Sequence, residues 1–124
     1  MHKYNPNQQP DAAEWLALDE LGRIGLVNEY HLRAGESYPG ARAHAAAHAV
    51  VETQLAEGLP HVRSALERLL GGGLDRHESI HAIASVLMGQ VWELANRPST
   101  SGDPNARYVT ALDALTVESW RRSG

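Results

Sequence analysis

One spacing occurs twice in this chain, as His44-x-x-x-His48 and as His77-x-x-x-His81, each time inside a stretch of helical periodicity. A helix turns by about 100° per residue, so side chains four positions apart return to nearly the same face. Each pair therefore puts two imidazoles on one side of its helix. Val51 and Leu55 share the side of the first pair, and Ala84, Met88 and Val91 the side of the second. A stripe of apolar residues faces a core, so both pairs border it. Four imidazoles at a core boundary each need a partner, because an unpaired buried polar group costs on the order of a few kcal/mol. The fold must therefore pack two helices so that these rings are satisfied together.

The rest of the chain reads as more helix. Residues 1–10 are polar, carry Pro6 and Pro10, and are expected to form a flexible N-terminal arm. Asp11-x-x-Glu14 is a capping pattern opening a helix with Trp15, Leu16 and Leu18. Residues 19–33 continue helically with a kink expected near Gly22, placing Leu21, Ile24, Asn28, His31 and Leu32 on one face. A turn over 34–40 precedes the alanine-rich helix 41–57, which Gly58 stops. Pro60 opens a short helix whose stripe is Val62, Ala65, Leu66 and Leu69, ending at Gly71-Gly72-Gly73. Asp75-x-x-Glu78 caps a helix running to about residue 97. A loop over 98–104 leads to a last helix over 105–121, with Tyr108, Ala111, Leu112 and Leu115 inward. No useful length alternates as a strand would. The expectation is an all-α protein, a compact bundle of four to five helices, with one domain over 11–121.

Composition narrows the functions. With 124 residues the chain makes one domain, and 43% hydrophobic against 21% charged residues is an ordinary globular mix. A formal charge of -4, with scattered arginines often near acidic residues, argues against nucleic acid as a partner. No apolar run approaches the roughly 18–20 residues of a membrane span, and Met1-His2-Lys3-Tyr4-Asn5-Pro6 holds no apolar stretch of the kind expected of a secretory signal. The absence of cysteine excludes disulfide and thiolate chemistry and suits a cytoplasmic protein, the bacterial type of compartment being expected.

Without thiolates, a transition-metal site has to be built from imidazole and carboxylate. His44, His48, His77 and His81 are the first ligand candidates. His31, on the apolar side of its helix, is the fifth, and Glu52 extends the row His44–His48 by one turn. Such a donor set suits zinc or iron first, with copper and nickel also compatible. Glu29 is a further carboxylate, while His2 and His61 look peripheral. His77-Glu78-Ser79-Ile80-His81 also spells the zincin His-Glu-x-x-His, in which the glutamate is general base. Against that, the capping pattern already accounts for Glu78, and the zincin sheet is missing. Glu78-x-x-His81 is the spacing of carboxylate-bridged di-iron bundles, but those use it twice. The inventory is closer in chemistry to the five-histidine di-iron centre of hemerythrins, whose motif order and final His-x-x-x-x-Asp are absent here. The general base of any reaction is expected at Glu78 or Glu52.

These residues, taken in order, resemble a known family. Leu18-Asp19, Glu29-Tyr30-His31, His44-x-x-x-His48 with Gln54-Leu55, Pro60-x-Val62-Arg63, Glu67-Arg68-Leu69 and Asp75-x-His77-x-x-x-His81 are similar to the bacterial domain-of-unknown-function 1841 family. The likeness spans roughly residues 16–97. In that family a glutamate immediately precedes the glutamine matched by Gln54; here Thr53 holds that place, and Glu52 stands one residue earlier. Glu78 is not part of the family pattern. The resemblance implies the same histidine constellation and a bacterial origin, and no reaction, since the family carries no established activity.

Three readings follow. The first is a mono- or dinuclear metal protein acting as an enzyme that activates water or dioxygen on a small molecule. The second is a non-catalytic metal protein with a structural, storage or sensing role. The third is a metal-free helical interaction module, for which a homodimer is the natural partner.

Overall fold

The computed structural model describes residues 1, 3–36, 40–97 and 102–123. Parts of the expected 34–40 turn and 98–104 loop, and all of His2, lie outside the described residues. Those residues form seven α-helices and no strand: α1 (Ala12–Ala17), α2 (Glu20–Arg33), α3 (Ala41–Ala56), α4 (Pro60–Gly71), α5 (Arg76–Asn96), α6 (Pro104–Ala114) and α7 (Val117–Ser123). The all-α expectation holds. The count exceeds four to five because short local signals break what periodicity alone reads as continuous helix.

At the first break Leu18 is extended, and the Asp19 carboxylate accepts the Gly22 N–H at 2.7 Å, so a new helix begins before the glycine where a kink was expected. At the second, Leu115 is extended. Thr116 and Ser119 then exchange backbone N–H to side-chain oxygen bonds of 2.9 and 3.0 Å, a reciprocal cap that starts α7.

Helix α3 is the axle of the fold. Helix α1, α2, α4 and α5 all pack against it, and its alanines let them approach. At 100° per residue Ala47, Val51 and Leu55 form one stripe, and they join the core shared with α4, α5 and α6. Ala45 and Ala49 form another, joining Trp15, Val27 and Tyr4 beneath α1 and α2. The row His44, His48, Glu52 runs between the two stripes. It meets α5 antiparallel, since Glu52 pairs with Arg76 while His44 lies beside His81.

That antiparallel register explains a misplaced stripe. Because α3 begins only three residues before His44, the outer half of α5 runs past it. Met88 and Val91, expected to face the core, are exposed. On α2 the inward residues are Val27 and His31, while Leu21 and Leu32 face outward.

Nor is the first segment a loose arm. Tyr4 and Pro6 are buried, and the Arg76 guanidinium donates to the Pro6 carbonyl at 2.9 Å and to the Gln9 side chain at 2.9 Å. The Asn7 side chain accepts the His77 N–H at 3.1 Å, at the exposed start of α5. Proline and polar residues suit this strap because it is held by its carbonyls and side chains, not by a helical ladder.

Candidate metal centre

Three helices bring five imidazoles together: His31 from α2, His44 and His48 from α3, and His77 and His81 from α5. Ring centroids stand 4.2 Å apart for His44–His48, 4.6 Å for His44–His81, 5.1 Å for His31–His48 and 5.5 Å for His48–His81. His77 lies 5.9 Å from both His31 and His48. Two groups emerge, His31–His48–His77 and His44–His48–His81, each with one donor atom per residue and all such atoms within 4.8 Å. Metal–nitrogen bonds of about 2.0–2.1 Å set tetrahedral ligand pairs roughly 3.3 Å apart. A bound ion would have to draw the rings together to close that difference.

Burial makes the cluster unusual. His48 is 0% and His31 2% exposed, and none of their four ring nitrogens has a hydrogen-bond partner. The nearest acid to His31, Glu36, stands 3.6 Å from its Nε2, beyond hydrogen-bond reach. Burial, followed by the neighbouring imidazoles, pushes His48 down to about 2 and His44 down to about 4. Burial likewise lowers His31 and His81. Buried rings held neutral are in the state that binds a cation.

Glu52 has another task. The expectation that it ligates meets a carboxylate whose two oxygens both accept from the Arg76 guanidinium at 2.7 Å, with the Tyr4 hydroxyl donating to one of them. It belongs to neither histidine group among the described residues. Burial disfavours the Arg76 charge, yet the bonds to Glu52 outweigh it and hold the group above its ordinary range. Tyr4 is pushed up by burial first and then by the Glu52 charge. Sequence reasoning missed Arg76, because no local signal pairs residues 24 positions apart on different helices.

Beside the cluster opens a cleft of about 510 Å³, lined by His44, His77, His81, Glu36, Glu78 and Trp120 among others. Asp75 caps α5 as expected, accepting the Glu78 N–H at 2.7 Å, but the Glu78 carboxylate accepts from the Trp120 indole at 3.2 Å, where a capping box would turn it back to the cap. Trp120 reaches the site because Val117 lies where a Gly72 side chain would stand, packing so close that only glycine fits. Glu36 reaches it by a helix stop. Gly35 at φ 80° lets the Glu36 N–H bond the His31 carbonyl at 2.8 Å, turning the chain back over the ring. Arg33-Ala34-Gly35 carried that signal in the sequence. Peripheral His61 stays outside, 3.2 Å from Asp113.

No protein-family model, curated protein or solved structure matches this chain. Among the described residues no helix is long and apolar enough to cross a membrane.

Proposed function

We propose that this protein binds transition-metal ions through His31, His44, His48, His77 and His81, and presents the bound metal to a small molecule in the cleft. One observation carries the reading: two fully enclosed histidines hold four ring nitrogens without partners. Each unsatisfied buried nitrogen costs about 1–3 kcal/mol, and a coordinated cation relieves the cost at the atoms it binds. Imidazole donors without thiolate suit zinc, iron, copper or nickel. The metal-free interaction module is less well supported, because a packing role for these histidines would satisfy their nitrogens with protein groups.

The cleft favours an enzyme over a closed structural site. Catalytic metal sites keep a ligand position open, and three of the five histidines line a cleft. A metal there supplies an activated water or a binding position for dioxygen. Glu78 lines the same cleft and is placed to accept a proton; Glu52, buried against Arg76, is not. The family that the sequence resembles supplies no reaction. The test is azide added to the cobalt-substituted protein. A change in the cobalt absorption bands on azide binding is expected, and an unchanged spectrum at saturating azide would leave only the structural or storage role.

A further inference from the structure

His48 belongs to both histidine groups, and both of its ring nitrogens are enclosed and without a partner. The other four histidines divide around it in twos. His31 and His77 complete one group, and His44 and His81 the other. One imidazole ring offers two donor atoms on opposite edges. A single ion can use only one of them, which would leave the other nitrogen enclosed and without a partner. Two ions use both.

Resting on the metal-binding reading above, we infer that the site is dinuclear, with His48 as an imidazolate bridge between two divalent transition-metal ions. His31 and His77 are the terminal ligands of the inner ion, and His44 and His81 those of the outer one. The balance is simple. Neutral His48 gives one ring nitrogen's lone pair to the first ion; on binding the second, its remaining ring N–H proton passes to solvent, and that nitrogen's electron pair binds the metal. The two ions differ in access. His44 and His81 both line the cleft, whereas of the inner terminal pair only His77 does and His31 is buried. A substrate in the cleft therefore meets the outer ion first, and the inner ion borders the cleft on its His77 side alone.

The experiment is a copper(II) titration of the apoprotein followed by electron paramagnetic resonance. It uses a His2→Ala/His61→Ala background, so that peripheral imidazoles hold no copper. Two coppers per chain are expected. The spectrum should grow through the first equivalent and collapse well below the two-copper intensity as the second binds, because an imidazolate bridge couples the spins antiferromagnetically. Adding His44→Ala and His81→Ala should leave one copper with a full, uncoupled signal, which also reports that the inner group still forms. Saturation at one copper, or two coppers at full uncoupled intensity, would overturn the bridge and leave the metal-binding reading intact. A parent chain that retains no copper would overturn both.

Discussion

Glu52 and Arg76 meet through two hydrogen bonds of 2.7 Å, one from each terminal guanidinium nitrogen, where they are only 1% and 8% exposed. The pair ties α3 to the start of α5, one helical turn beyond His48 on α3 and next to His77 on α5. Removing one partner leaves a buried charge uncompensated, which costs about 3–5 kcal/mol. Glu52→Gln is therefore expected to lower the urea midpoint sharply with an unchanged slope, yet to keep the parent's zinc stoichiometry when folded. Loss of zinc from folded Glu52→Gln would restore this carboxylate to the ligand set.

The same pair holds the N-terminal strap. Tyr4→Phe removes a hydrogen bond to a charged acceptor and should cost about 1.5–3 kcal/mol. Deleting residues 1–9 should cost more, since it also uncovers Arg76. Denaturant unfolding checks both. A deletion effect within about 0.5 kcal/mol, the range of an ordinary surface change, would mean that the strap does not hold the fold.

Acid should unfold the metal-free protein in a defined window. The native state keeps His44 and His48 neutral down to about 4 and about 2, with His31 and His81 also lowered. The unfolded chain takes up those protons near the ordinary value of about 6.5. Below that pH the unfolded state binds more protons, so stability falls as pH falls. The stability is whole above about 6.5, and the decline continues through pH 4. Metal binding is lost with the fold, and protons compete directly for the native donor nitrogens only where these lowered groups titrate. Unfolding free energy of the chelated protein, measured from pH 8 to pH 4, should show this slope; a flat profile would contradict buried neutral imidazoles.

The cluster should also be a stability cost when empty. In chelator, His48→Leu replaces two unsatisfied nitrogens with apolar atoms of similar volume and should stabilise the fold by about 1–3 kcal/mol. The gain comes with loss of metal, the usual opposition of function and stability. Destabilisation of this variant relative to the chelated parent would show that His48 is a well-satisfied packing residue.

Much of this was legible in the residues. The caps at Asp11 and Asp75, the stop at Gly58 and the shared faces of the histidine pairs follow from local rules. His31 stood out from its place on the apolar side of its helix, although Leu21 and Leu32, read as sharing that face, are exposed. What was not legible depended on long-range register. Glu52 looks like the next ligand in its row until Arg76, 24 residues on, is seen to occupy it. Tyr4 and Pro6 look like part of an arm until the guanidinium that anchors the strap is in place. Met88 and Val91 continue an apolar stripe that extends beyond the helix it packs on. Periodicity gives the face of a helix, but not the length over which a neighbour covers it.

The central claim is tested most directly by elemental analysis of untagged protein, purified without chelators and reconstituted with zinc or iron, beside His48→Leu. His48 is the residue shared by both groups, so one substitution disables both. Stoichiometric metal in the parent and its loss from a folded His48→Leu is the predicted result. Equal metal content in the two proteins, or none in the parent after reconstitution with either metal, would contradict the account.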